Sequence, residues 1–435
     1  MNDNKAYSAS SASSTAKIDN KTVKSKEANQ ELKTKLVPSL VSPAITSPTI
    51  TKPFDFEIKN VQGMDAWWTA AWWKDVLNFH SKEEEEVLLN PPQHNIYPER
   101  PEFQTLRNFY SNAVTTFWVH TEIDMTADAK DYNNQTHGPD KLSQHEKNTI
   151  KFFLSFFAFA DLLVGEYLSK FTHKFKLQEV CKFYAQQAAI EAVHDLTYGK
   201  FINDMIPEKE QNEIRNAFKD HEVVKTKSMW IQKGFDDNID MAIRIILFCI
   251  VEGVFFCSSF AFFFYLRECH RTKFPGLLHA NEFIMRDETM HMDFGCELFR
   301  LWKHKPSQEM VHNIFRSAIA VEDLFIDAAL PVKLPMLSSE QMKQYVRFMA
   351  DRLLLKLGYD KLFQVKNPLP WMQQTQLETR LNFFERRTGT YQSATYNHHH
   401  ASASSSLTFS SSEPIAGAAA AGATNADVVE LEDDD

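Results

Sequence analysis

The sequence predicts an all-α protein, a helical bundle around a pair of metal-binding half-sites, and three observations carry that expectation. The readable segments are long and apolar at helical period, without the alternation of strands. Two of them contain the tetrad Glu-x-x-His, as Glu191-Ala-Val-His194 and Glu288-Thr-Met-His291. Each tetrad follows an apolar segment with one acid in its interior, Asp161 in FFLSFFAFADLL and Glu252 in LFCIVEGVFF. Residues i and i+3 share a helix face, so each Glu and its His can converge on one ion while the upstream carboxylate closes the half-site. Four carboxylates and two imidazoles on four helices are the ligand set of a ferritin-like dimetal-carboxylate bundle, with Asp161 as one shortened ligand.

Taken in order, residues 1–83 form a polar extension: SASSASSTAKIDNKTVKSKEANQ, then the proline-punctuated LVPSLVSPAITSPTITKP. Such composition buries too little apolar surface to offset ordering, so disorder is expected. Near its end, Trp67, Trp68, Trp72 and Trp73 form a cluster that could dock on the core, a partner or a membrane surface, with the core as first expectation. The globular part is expected at 84–387, with helices over about 144–175, 177–204, 238–269, 281–303, 307–330 and 339–357. Pro207, Pro275-Gly276, Pro306, Pro331 and Pro335 separate them. Residues 245–266 pass a length test for crossing a membrane. Glu252 in their interior would be costly in lipid, which favours a helix buried on all sides. Residues 388–435 form a Ser/Ala/Gly tail ending in VVELEDDD, again expected to be flexible.

The 47 basic and 57 acidic residues leave a formal charge of −10, and no basic stripe suits nucleic acid. The five cysteines sit singly, without a Cys-x-x-Cys pair or a disulfide framework, and the N-terminus lacks a secretory pattern. A reducing cytosolic setting is expected, with neither nucleic acid nor membrane as partner.

A lone Glu or His on a helix is usually solvated or hydrogen-bonded. Asp161 and Glu252 differ, because phenylalanines and aliphatic residues flank both, and a carboxylate there needs a partner or a metal. Carboxylate-rich ligation suits iron or manganese and argues against structural zinc. Tyr198 lies one turn after His194 and should project near the first half-site. Phe256 and Phe260 beyond Glu252, and Ile284 before Glu288, point into the same neighbourhood. A dry aromatic pocket would shield a reactive tyrosyl species, and ordinary core packing accounts for the same residues.

These motifs, with FWVHTEIDM (117–125), EGVFFCSSF (252–260), NEFIMRDETMH (281–291) and LNFFERRTGTYQ (381–392), closely resemble the small, radical-generating subunit of class I ribonucleotide reductase. The resemblance covers residues 84–392. It implies two iron ions, with manganese as the alternative. Asp161, Glu191 and His194 would hold the ion nearer the radical Tyr198; Glu252, Glu288 and His291 would hold the other; Glu191 and Glu288 would bridge. It further implies Phe256, Phe260 and Ile284 as the radical pocket, Trp118 and Asp287 as the electron-transfer route beyond His194, and Tyr391 as the relay in the tail. The implied protein is a homodimer that uses O₂ and an electron donor. It is active only with a large subunit, docked through the C-terminal tail, where ribonucleoside diphosphates lose their 2′-hydroxyl.

Two features depart from that pattern. Val429 and Asp435 stand where anchoring phenylalanines are expected, and the N-terminal extension and the Ser/Ala-rich segment after Tyr391 match nothing in it. On the same fold, a dimetal oxygenase, desaturase or ligand-binding oxidase would need a substrate cavity beside the metals. Iron storage or a scaffold would not need the tail or all six ligands.

Overall fold

A computed structural model describes residues 71–92, 100–134, 141–234 and 236–372. Residues 1–70, with Trp67 and Trp68, and residues 373–435, with Tyr391, lie outside the described residues. Among the described residues the elements are helices without strands. They are α1 (Ala71–Leu77), α2 (Gln104–Thr115), α3 (Thr126–Asn133), α4 (Gln144–Phe171), α5 (Gln178–Lys200), α6 (Glu208–Asp220), α7 (Glu222–Lys233), α8 (Met241–Ile250), α9 (Cys257–Cys269), α10 (Pro275–Leu301), α11 (Gln308–Ala329) and α12 (Ser339–Leu357).

The starts of these helices are written in local chemistry. Ser143 and Glu146 form a reciprocal capping box at α4, and Ser338 with Gln341 does so at α12. Ser307 and Asp240 cap α11 and α8 through their side-chain oxygens. Each cap satisfies a backbone N–H that the first helical turn leaves without a partner. Pro275, which the sequence places as a separator, is instead the first residue of α10, where a missing N–H costs nothing. The backbone N–H groups of Gly276 and Leu277 donate to the buried Asp128 carboxylate at 3.0 and 2.7 Å. Gly358, at φ 87°, ends α12 in the left-handed conformation.

Two π-helical turns interrupt the regular ladder. Phe201–Met205 extends α5, and Val251–Phe255 joins α8 to α9. The single helix expected over 238–269 is therefore two α-helices with a π-helical join, and Glu252 sits in that join. Every residue of α8 and of the join is buried, as are residues 257–266 of α9. The apolar 241–269 stretch is thus enclosed by the bundle, in line with the buried-helix expectation. Fully burying each Phe, Ile or Leu here contributes roughly 1.5–3 kcal/mol.

Helix α4 packs on α5, α8 packs on α10, and α10 also touches α5, which brings the four ligand-bearing segments around one axis. Helix α2 covers α5 and α10, while α7 and α11 pack together behind α4. The ordered structure reaches back before residue 84. In α1, Trp73 and Val76 are buried, and the helix packs on α11, so this half of the tryptophan cluster docks on the core. The acidic run is tied in as well. Glu83 accepts from the Met241 N–H at 2.8 Å, and the fully buried Glu86 accepts from the Lys303 N–H at 3.0 Å.

Candidate metal centre

Helix α5 presents Glu191 and His194 on one buried face, and α10 presents Glu288 and His291 in the same way. The π-helical turn adds Glu252 from a third direction. One ligand atom each from Glu191, Glu252, Glu288 and His291 lie within 4.8 Å of one another. His194 joins them: its Nδ1 is 3.2 Å from Glu191 Oε2 and 3.0 Å from Glu288 Oε1. His291 Nδ1 is 3.1 Å from Glu191 Oε1 and 3.0 Å from Glu288 Oε2. Each glutamate thus turns one oxygen toward each histidine, so the two imidazoles face one shared site and not separate cavities. Asp161 lies on α4, and its side chain falls outside the described residues.

The electrostatics follow from this square. Burial resists charge on Glu191, but His291 and His194 beside it hold its carboxyl far below the usual range. Glu288 is lowered too: burial and Glu191 oppose this, and the two histidines prevail. Burial likewise resists protonation of His291, yet Glu191 and Glu288 raise it to about 9. His194 is raised well above its ordinary value by Asp287, Glu191 and Glu288, again against burial. Protons on the two imidazoles thus offset the charge of the two glutamates. Three hard carboxylates and two imidazoles, buried together, fit a pair of iron or manganese ions, which would replace those protons.

On the far side of His194, Trp118 Nε1 donates to Asp287 Oδ2 at 2.7 Å, and His194 Nε2 lies 3.3 Å from the same oxygen. The Trp118 ring also stacks on His194, with centroids 5.9 Å apart. Trp118, Asp287 and His194 are therefore one hydrogen-bonded unit. Burial would raise the Asp287 carboxyl, but Arg286 foremost, with His194 and Trp118, holds it down. Arg286 reaches Asp287 Oδ1 at 2.8 Å and the Thr116 carbonyl at 3.0 Å.

Tyr198 is 1% exposed. The ring stacked on it is Phe157 of α4, at 4.7 Å and 9°. Phe256 and Phe260 pack against Phe157 at 5.8 and 5.3 Å, and Ile284 is buried on α10. Phe157 is thus the ring that meets Tyr198, and Phe256 and Phe260 meet Phe157.

Sequence reasoning misses three members of this neighbourhood. Phe157 is visible there only as one more phenylalanine of an apolar helix. Arg286 precedes Asp287 in the chain and carries no signal of its own. Gln187, one turn before Glu191, donates its amide to Glu191 Oε1 at 3.2 Å and to Glu252 Oε1 at 3.0 Å, tying the two carboxylates together. Among the described residues, a narrow cleft beside the site lies between Gln187, His291, Phe117 and Met290, with room for about one water. That is too small for an organic substrate.

A family model described as "Ribonucleotide reductase, small chain" matches residues 96–368. The ribonucleoside-diphosphate reductase small chain of vaccinia virus (strain Ankara) is 39% identical over 305 residues, covering 70% of this chain and 92% of that relative. Ribonucleoside-diphosphate reductase subunit M2 of Danio rerio is 38% identical over 314 residues, covering 71% and 78%. Among solved structures, the ribonucleotide reductase Rnr4 homodimer of Saccharomyces cerevisiae superposes with a TM-score of 0.60 at 22% identity, covering 72% of this chain and 96% of that one, a likeness of fold.

Proposed function

Because the chain belongs to the ribonucleotide reductase small-chain family, we infer that it is the small subunit of ribonucleoside-diphosphate reductase and that Tyr198 stores its oxidising equivalent. The observation that carries this reading is one buried carboxylate–imidazole square whose His194 faces the Trp118–Asp287 pair, with a buried Tyr198 one turn further along the His194 helix. Asp161, Glu191 and His194 would hold one ion and Glu252, Glu288 and His291 the other. Glu191 and Glu288 would span both, since each already turns one oxygen toward each histidine. Two bound iron ions, or manganese in their place, supply with O₂ the oxidising power that side chains lack.

The rest is done by the chain. Phe157 covers the face of Tyr198, and Phe256 and Phe260 back it, so water is kept from a phenoxyl oxygen that has lost one electron and one proton. Gln187 fixes the orientation of Glu191 and Glu252. Asp287 Oδ2 is poised to take the indole proton if Trp118 is oxidised, and Arg286 keeps that carboxylate charged and available. Tyr391, in the tail, would carry the equivalent to a large subunit that holds the nucleotide. A homodimer, an electron donor and tail-mediated docking complete the proposed assembly.

Reconstitution tests the reading. Iron-loaded protein mixed with a ribonucleotide reductase large subunit and a thiol reductant should convert ribonucleoside diphosphates to deoxyribonucleotides, and neither subunit should do so alone. No turnover from a mixture in which complex formation is demonstrated would overturn it.

A further inference from the structure

Lys227 of α7 is fully buried, a costly position for an ammonium group. Its Nζ donates to the carbonyl of Phe255, the last residue of the π-helical turn, at 2.7 Å. It also pairs with Glu322 of α11 at 2.6 Å, and both side chains are fully buried. The other oxygen of Glu322 accepts from Ser258 of α9 at 2.6 Å. Rings close around the ammonium, Phe325 at 3.7 Å and Phe156 at 3.8 Å. Three helices are therefore fastened to one point of the backbone, three residues beyond Glu252.

A π-helical turn departs from the α ladder, and such turns persist where the surroundings fix them. Here the fixing groups are side chains: Lys227 on the Phe255 carbonyl and the Cys257 thiol on the Gly253 carbonyl at 2.9 Å. The same turn aims Glu252 at the site. Phe156, under the ammonium, packs on Phe256 at 5.8 Å, and Phe256 backs the Phe157 ring stacked on Tyr198. A buried ion pair is poor at adding stability, since well-packed apolar residues of similar size do as well or better. Its product at this place is geometry.

We propose that Lys227, with Glu322 and Ser258, is a positioning device that holds the Val251–Phe255 turn in its π-helical register, and so sets the orientation of Glu252 and of the aromatic wall on Tyr198. The proposal rests on the two-metal reading for its consequence and on the backbone geometry for its substance. Burial, opposed by Glu322, brings the Lys227 ammonium down to about 8, in keeping with an ion held where water is not.

The test pairs Lys227→Met with Glu322→Leu, because removing one partner alone would strand a buried charge. In metal-free protein the melting temperature should stay level or rise, while amides of residues 251–260 exchange hydrogen about ten-fold or more faster, as expected for a lost charge-assisted bond. Titrated with Mn(II) without oxygen, wild-type protein should bind two ions, and the paired variant should bind one of them about ten-fold more weakly. A pair that only stabilised the fold would change exchange throughout the core, not at one turn. Unchanged exchange at residues 251–260 with two undiminished ions overturns the proposal. Wild-type protein that binds no pair of Mn(II) ions overturns the two-metal reading instead, and the exchange result still decides on Lys227. If the paired variant does not fold, Ser258→Ala, which keeps the ion pair, should speed exchange at the same amides about five-fold. No change there also refutes the device.

Discussion

Loading the centre with divalent ions should expel protons, and the square of charges fixes how many. Glu191 and Glu288 each face both imidazoles at 3.0 to 3.2 Å. Against the opposition of burial, these carboxylates raise His291 from 6.5 to about 9, and with Asp287 they raise His194 well above its ordinary value. In protein stripped of metal, both rings are therefore expected to hold a proton on the Nδ1 that faces the glutamates. A metal ion needs that nitrogen as a lone pair, so binding two ions releases about two protons. Apparent affinity for the pair should rise by about two log units per pH unit, or about 2.7 kcal/mol, and the slope should fall near pH 9 as His291 loses its proton unaided. Stability of the metal-free protein runs the other way. Its folded form binds more protons than the unfolded chain between pH 6.5 and about 9, so stability present below that window is lost as pH climbs through it. Anaerobic calorimetry of Mn(II) binding in buffers of different ionisation enthalpy counts the protons, and thermal melts of metal-free protein give the second slope. Release of less than about half a proton per ion, or metal-free stability that rises across the window, would refute the charge-balanced site.

Three further perturbations discriminate among its parts. Trp118→Phe removes the 2.7 Å bond to Asp287 and should cost about 1–3 kcal/mol in denaturant unfolding; metal loading and the Tyr198 radical should persist while ribonucleotide reduction with the large subunit is lost, so retained turnover would exclude Trp118 from the route. Gly276→Ala places a methyl against the Asp124 carbonyl, and 3.0 Å from Asp128 Oδ2, and should cost about 3 kcal/mol in urea unfolding; a change below about 1 kcal/mol would show that this helix start can yield. Deleting residues 425–435 should abolish activity with the large subunit but leave metal loading intact. In the full chain, docking should be weak and salt-sensitive, because Val429 and Asp435 offer less apolar surface than aromatic residues would; full activity of the truncated protein at sub-saturating large subunit counts against tail docking.

The ligand helices are legible in the sequence because their chemistry is local. Glu191 with His194, and Glu288 with His291, declare a shared face within one turn, and Glu252 stands out against an apolar run. Helices α2, α3, α6 and α7 are less so, since polar residues outnumber apolar ones in each, and α6 opens with Glu208, Lys209, Glu210 and Gln211. The π-helical turns are hidden for a different reason. An extra residue in one turn leaves the apolar pattern of an all-buried segment unchanged, so residues 238–269 read as one helix. Gln187 and the Lys227–Glu322 pair escape because their meaning lies in contacts far apart in the chain: Gln187 with Glu252, Lys227 with Glu322. Pro275 is misplaced because the sequence does not distinguish a proline that separates two helices from a proline that opens one.

The proposed oxidation of Tyr198 by a buried pair of metals is open to electron paramagnetic resonance of iron-loaded, oxygen-exposed protein, run beside Tyr198→Phe at matched iron content. The account predicts about two irons per chain in both proteins, with a tyrosyl signal in the wild type that vanishes in the variant. Two bound irons without a radical in the wild type, or the same signal in Tyr198→Phe, would contradict it.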